Sequence, residues 1–419
     1  MRILVLCPHF APDVAPTGEV MTSIVSELAA LGHELHVVTS LPWYQHHALD
    51  VGWEGQLVRH EDTRWGRITR VHPFPTDKRN IPARAVAFAG WTALATAEGT
   101  WSRMRPDVVL AMSPPLTLGL AGWAVAKARR APFVFNIQDV FPDVAVELGL
   151  LRGARVIAAA SWLERTTYRR ADAVTVLSDD LAENVANKLG AGGRAGRTGK
   201  VRVIPNFVDT DWIVPGPADN AYRAEHGLTG KRVVMYAGNV GLSQSLDLVL
   251  DAAAALRHET DVAFVINGGG AARPALERSA RGMENVTFVD MQPKARLPEV
   301  LAAGDLHVVP LKRGLARSSV PSKLYSVLAA GRPIVASVDP GTEVARTVER
   351  AGAGVAVPPD DAEAFTKAIS SLLDRPDDAA AMGRSGRAFV ESWASPQSVA
   401  RAYEALFDEL RAGRSNPRG

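Results

Sequence analysis

Short apolar runs recur along the chain, each followed by a loop holding Gly or Pro and then by an alanine-rich stretch of helical character. In the first half the runs are Ile3–Leu6, Leu35–Thr39, Ile68–Val71, Val108–Ala111, Phe133–Ile137, Val174–Leu177 and Val201–Ile204. In the second half they are Val233–Tyr236, Val262–Ile266, Val286–Val289, Leu306–Val309, Ile334–Val335 and Val355–Val357. Apolar strands without alternation, separated by helices, predict parallel sheets covered on both faces. Two such series in tandem predict an α/β chain of two Rossmann-like, doubly wound domains. Pro215-Gly216-Pro217 interrupts any regular element near the seam. The expected domains are therefore residues 1–212 and 213–395, with a last helix at about 396–411 crossing back onto the first domain.

Length supports this division, because 419 residues exceed the size at which a single core keeps growing. Apolar residues make up 47% and charged residues 22%, which is ordinary globular usage. A net charge of +2 without a polycationic block argues against nucleic acid as the partner. The single cysteine, Cys7, forms no disulfide within the chain and fits a reducing compartment. The uncharged run Val108–Ala126 is nominally long enough to span a bilayer, but Pro114-Pro115 and Gly119 make it strand, loop and buried helix. With no signal peptide visible, a cytoplasmic protein is expected.

Open α/β sheets bind ligands beyond the carboxyl ends of their strands, over helix N-termini. Four loops carry chemistry there. Cys7-Pro8-His9-Phe10 leads through a Pro-rich loop to Gly18, where a ligand could approach backbone amides at a helix start; Glu19 suits the dipole of that first turn. Tyr236-Ala237-Gly238-Asn239-Val240-Gly241 follows a strand with two glycines three apart, the spacing of a phosphate loop. It lacks the G-x-G-x-x-G fingerprint of dinucleotide enzymes. Asn267-Gly268-Gly269-Gly270 reads equally as ligand contact or as a tight turn allowing close packing. The fourth loop runs from Pro310 through Lys312 and Arg313 to Pro321-Ser322-Lys323. Ser322 is a natural N-cap, so Lys323 falls in the first helical turn, against the usual dipole preference. An anion bridging that lysine and the helix amides would resolve the conflict, with Lys312 and Arg317 adding charge suited to a diphosphate.

These motifs, in their order and spacing, resemble family-4 glycosyltransferases of the GT-B fold, in particular the branch that builds capsular, O-antigen and colanic-acid-type polysaccharides. The resemblance runs from Pro8-His9-Phe10-Ala11-Pro12 through Gln138-Asp139-Val140-Phe141-Pro142-Asp143, Ile204-Pro205-Asn206-Phe207-Val208-Asp209, the Tyr236–Gly241 loop and the Pro321-Ser322-Lys323 helix to Gly352–Pro359. It implies two domains facing across a cleft, with the donor held by the C-terminal one. It also implies retaining transfer of a hexose or N-acetylhexosamine from a nucleotide-diphospho-sugar, commonly UDP-linked, without a metal or other cofactor. The leaving diphosphate would be met by Lys323, Lys312 and Arg317 with the Gly238–Gly241 amides. Asn239, Gly268 and Ser322 would line the donor site, and Asp139 would receive or orient the acceptor proton. Two glutamates common in the family are replaced by Ser318 and Ser326, of which Ser326 could hydrogen-bond the ribose. The family's basic pair after the glycine loop is missing around Leu242, Ser243 and Gln244.

His9, His46 and His47 are further acceptor-side candidates, and Asp209-Thr210-Asp211 imitates a D-x-D metal motif but is expected to be structural. The implied acceptor is a glycan, a polyprenyl-linked sugar or a small molecule. Peripheral contact with the cytoplasmic leaflet is expected if Arg84–Glu98, with Phe88 and Trp91, is interfacial rather than a core helix. Two alternatives share the fold: a UDP-sugar 2-epimerase, and a non-catalytic nucleotide-sugar sensor, the latter suggested by Ser318 and Ser326.

Overall fold

The structure is a computed structural model that describes residues 1–13, 15–44, 48–75, 81–143, 146, 151, 153–190, 199–241, 243–314 and 323–415. The chain folds as two compact units, Met1–Asn206 with Val399–Gly419, and Phe207–Ser398. In the first unit the elements run β1 (Arg2–Leu6), α1 (Pro16–Ala30), β2 (Glu34–Ser40), β3 (Val58–Thr63), β4 (Gly66–Val71), α2 (Ile81–Thr100), β5 (Val108–Ser113), α3 (Thr117–Arg129), β6 (Phe133–Ile137), α4 (Ala154–Arg170), β7 (Ala173–Val176), α5 (Asp179–Lys188) and β8 (Val201–Val203). In the second they run α6 (Ala221–Glu225), β9 (Arg232–Ala237), α7 (Asp247–Ala255), β10 (Val262–Asn267), α8 (Arg273–Ser279), β11 (Val286–Val289), α9 (Leu297–Ala302), β12 (Leu306–Pro310), α10 (Lys323–Ala329), β13 (Ile334–Ser337), α11 (Glu343–Arg350), β14 (Gly354–Val357), α12 (Ala362–Leu373) and α13 (Pro376–Trp393). A final helix, α14 (Pro396–Ser415), begins in the second unit and from Val399 onward belongs to the first.

The second sheet has the order β11-β10-β9-β12-β13-β14 and is parallel throughout. The first has the order β3-β4-β2-β1-β5-β6-β7-β8, parallel except for the β3–β4 pair. The antiparallel β3 departs from the all-parallel expectation. Its sequence, VRHEDT, is polar and half-exposed, because an edge strand with one open side needs no apolar run. Elsewhere the apolar runs form fully buried strands, as in β5 and β10. Local signals set several helix starts: Ser178 accepts the Leu181 amide at α5, and Asp361 accepts the Ala364 amide at α12.

Residues 207–212 pack in the second unit. Val208 and Ile213 join its core, and the Val208 amide donates to the Ala394 carbonyl at 3.0 Å. The end of α14 seals the first unit with buried Tyr403, Leu406 and Phe407. The Tyr403 hydroxyl accepts from Asn136 Nδ2 at 2.8 Å, Gln138 Nε2 donates to Asn136 Oδ1 at 2.7 Å, and Asn206 Nδ2 donates to Gln138 Oε1 at 2.8 Å.

Candidate active site

In each unit the strand order reverses once, and such a switch point opens a crevice at the carboxyl edge. In the second unit the reversal lies between β9 and β12. The loops leaving these two strands are zipped together: Gln244 bridges Leu311, the Lys312 amide donates to the Ser243 carbonyl at 3.1 Å, and the Ser245 amide donates to the Pro310 carbonyl at 3.3 Å. Lys323, the first residue of α10, reaches into this crevice. Its Nζ donates to Tyr236 Oη at 2.8 Å and to Gln244 Oε1 at 2.7 Å, and lies 4.3 Å from the centre of the Tyr236 ring. The Tyr236 hydroxyl in turn donates to the Asn239 carbonyl at 2.5 Å, which leaves its lone pair for the lysine. Burial raises the Tyr236 phenol, keeping it neutral.

The described partners of Lys323 are thus neutral oxygens and a π face. Burial without a carboxylate to offset it lowers the ammonium from 10.5 to about 7. An ammonium carries three donors, and two find partners among the described residues. A desolvated cation whose charge is unmatched favours an anionic ligand.

The glycines keep this place open. Gly238 has φ 143°, and a Cβ there would lie 4.0 Å from Lys323 Cδ and Nζ. Gly268 has φ 151°, and a Cβ there would overlap the Gly238 carbonyl oxygen. At the Asn267–Gly270 turn the geometry shows close packing, with Gly268 against the Gly238 loop. Asn239 is exposed and Gly241 buried in the same loop. Lys312 is also exposed, and its side chain makes no hydrogen bond or ion pair among the described residues. Ser326 lies half-buried on α10, one turn beyond Lys323. Arg317, Ser318 and Ser322 fall outside the described residues, as do His46 and His47.

In the first unit the reversal lies between β1 and β5. Gly18 sits buried in the first turn of α1, where a Cβ would come within 2.9 Å of His9 Cβ; the glycine lets the helix start rest on the loop after β1. His9 Nδ1 pairs with Asp13 Oδ2 at 2.7 Å, and Asp13 Oδ1 accepts the Tyr44 amide at 3.1 Å. Sequence reading did not pair these residues, although their i, i+4 spacing was visible. The buried Arg70 was also missed; it ties this loop to the sheet by donating to the Ala11 carbonyl at 2.6 Å and to Glu61 at 3.0 Å. Asp139 stands exposed on the turn after β6, with desolvation by the surrounding protein raising its carboxyl above the ordinary range. No backbone amide among the described residues donates to it. Trp91 of α2 is 3% exposed and sits in the core, so it is no interfacial anchor. Cys7 is buried, which pushes its thiol up to about 12 and makes it inert. Asp209 accepts the Asp211 and Trp212 amides at 3.1 and 2.8 Å, which gives it the structural role of a turn cap.

A Glycosyl transferase 4-like domain matches residues 17–206, and a Glycosyl transferases group 1 domain matches residues 231–375. The chain is 30% identical over 386 residues to the putative colanic acid biosynthesis glycosyl transferase WcaI of Escherichia coli, covering 89% of this chain and 92% of the relative. The chain belongs to the family-4 glycosyltransferases. A second member, the probable glycosyltransferase WbjE of Pseudomonas aeruginosa, is 27% identical over 72% of this chain and 75% of its own. Among solved structures, the sucrose-phosphate synthase of Thermosynechococcus elongatus superposes with a TM-score of 0.68 at 19% identity, covering 99% of this chain and all of its own. HepE of Anabaena in complex with UDP-glucose gives 0.62 at 16%, covering 98% and 100%. This glycosyltransferase therefore has the GT-B fold, and sugar transfer is its activity.

Proposed function

We propose that this glycosyltransferase moves a hexose or N-acetylhexosamine from a UDP-sugar, with retention and without a metal, onto a cell-envelope glycan or a lipid-linked sugar. The observation that carries the reading is Lys323, a desolvated ammonium held by Tyr236 and Gln244 beside Gly238. Its unmatched charge suits a diphosphate. As the bond from the anomeric carbon to the diphosphate breaks, negative charge grows on the leaving oxygen, and a fixed cation there stabilises the transition state more than the ground state. The acceptor oxygen bonds to the same carbon, and its proton is assigned to Asp139. Gly238–Gly241 amides, Lys312, Arg317 and Ser322 are assigned to the diphosphate, and Ser326 to the ribose. The polysaccharide acceptor is supported by WcaI, described for colanic acid biosynthesis, and the UDP-sugar by HepE, which shares the fold and binds UDP-glucose. A sugar donor carries its own leaving group, so no further cofactor is required.

Incubation with a panel of UDP-sugars, following release of UDP and formation of glycoside, tests this. Losing one preorganised donor costs roughly 10²–10³-fold in turnover. Lys323→Ala should show a loss of that order while still melting cooperatively as a folded protein. Normal turnover by this variant overturns the site, and an epimerised sugar without transfer overturns the reaction.

A further inference from the structure

The helix α4 is buried on one side only. Glu164, Thr167 and Tyr168 pack inward, and Glu164, the helix's sole carboxylate, is bonded by the Tyr168 hydroxyl at 2.9 Å and paired with Lys188 at 2.7 Å. The outward side carries Arg155, Trp162, Arg165 and Arg169, all exposed. Trp162 is 62% exposed, and Val156, nearer the helix start, is 54% exposed. On a helix, residues seven apart lie on one stripe, and a residue three further on lies beside it. Arg155 and Arg169 therefore flank Trp162 along the axis, with Arg165 next to it. Arg170 stacks on Trp123 of α3 at 4.1 Å, and Lys127 and Arg130 lie exposed at the end of that helix. The first two turns, Ala154–Ala160, hold one charge, Arg155, and are otherwise apolar and mostly open to solvent.

We infer that this face of α4 docks the enzyme on an anionic lipid bilayer. An indole is amphipathic and settles at the level of lipid headgroups, while arginines lay their stems on apolar surface and their guanidiniums against phosphates. Charge decides between occupants. Because the outward face has no carboxylate, pairing it with a second copy of itself would set arginines against arginines. A surface bearing negative phosphates complements it throughout. No helix among the described residues is long and apolar enough to cross a membrane, so the contact lies along the surface.

Position within the unit gives the contact a purpose. In a parallel sheet the helix after β6 starts at the carboxyl edge, and α4 begins there, on the edge that carries the Asp139 turn. A lipid-linked acceptor resting in the bilayer would be presented to that edge. The inference rests on the lipid-linked acceptor proposed above only for this purpose, not for the docking itself.

Sedimentation of the full chain with phosphatidylcholine vesicles, with and without phosphatidylglycerol, tests it at low and high salt. Binding is expected only with phosphatidylglycerol and is expected to weaken as salt rises. Arg155→Ser/Arg165→Ser/Arg169→Ser should weaken it at least about tenfold. Trp162→Ser should weaken it independently, and Trp162→Phe should lose part of the quenching by brominated lipid seen in the parent. Both sets of substitutions are on the surface, so melting temperature and UDP release to water or to a soluble acceptor should be unchanged. Retained activity with lost vesicle binding separates this inference from the glycosyl-transfer reading. Absence of binding by the parent, or full binding by the triple variant, overturns it. So does a Trp162→Ser variant that dissociates an oligomer, or a triple variant that loses RNA binding, while still sedimenting with vesicles.

Discussion

Lys323 illustrates how a single residue couples stability to ligand binding. Its ammonium titrates at about 7 in the fold and at 10.5 when free. Between those values the unfolded chain holds the extra proton, so stability should rise with pH across that window, and below pH 7 the cost of the buried charge is fully present. A bound diphosphate reverses the preference by favouring the ammonium. Donor affinity should therefore be highest near or below pH 7 and fall as pH rises, and titration calorimetry with UDP from roughly pH 7 to 9 will read this. Lys323→Gln should bind more weakly and lose that slope; an unchanged slope would place the titrating group elsewhere. Gly268 gives a second test at this scale. A methyl group there meets the Gly238 carbonyl at a positive φ, so Gly268→Ala should cost about 3 kcal/mol or more in urea unfolding of the second unit. The lysine and the glycine loops were legible in sequence, because their residue types conflict with ordinary helix and turn preferences. The pairing of Lys323 with Tyr236 and Gln244 was not, since those residues meet only because β12 joins the sheet beside β9, after β10 and β11 have intervened in the chain.

Among the elements, those buried on both faces were read most easily. Their apolar runs leave little alternative to a central parallel strand, and β1, β5, β6 and β10 lie where the pattern put them. The polar β3 escaped because an edge strand is held by backbone bonds to one neighbour, which leave no apolar signature. Similarly, apolarity could not say whether the α2 segment is interfacial or a core helix. Trp91 of α2 is turned into the core, whereas Trp162 of α4 is open to solvent. The final helix contributes a buried hydroxyl to β6. Tyr403→Phe removes a partner of Asn136 and should cost about 1–2 kcal/mol, measured as a lower melting temperature. Ending the chain at Ser398 removes Tyr403, Leu406 and Phe407 from the first unit's core and should leave that unit unable to fold, as judged by its loss from the soluble fraction.

Over the whole molecule, each unit buries a neutral histidine that sets its acid tolerance. His36 lies between Ser102 and Thr69 in the first unit, and His307 meets the Leu301 carbonyl in the second. Burial lowers both from 6.5 to about 4. From pH 6.5 down to 4 the unfolded chain takes up protons that the folded chain refuses, so stability should fall with acidification across this range. Thermal melts over those pH values should show the decline, and His36→Gln/His307→Gln should flatten it. Fold class followed from the sequence by itself, because apolar runs of strand length separated by helices admit few arrangements other than two parallel sheets. Family followed as well, from motifs whose order survives without knowledge of contacts. Tertiary structure alone decided which charged groups are desolvated and what faces them. Burial depends on every neighbouring element at once, and so the unmatched ammonium of Lys323 and the arginine face of α4 emerge only in the folded chain.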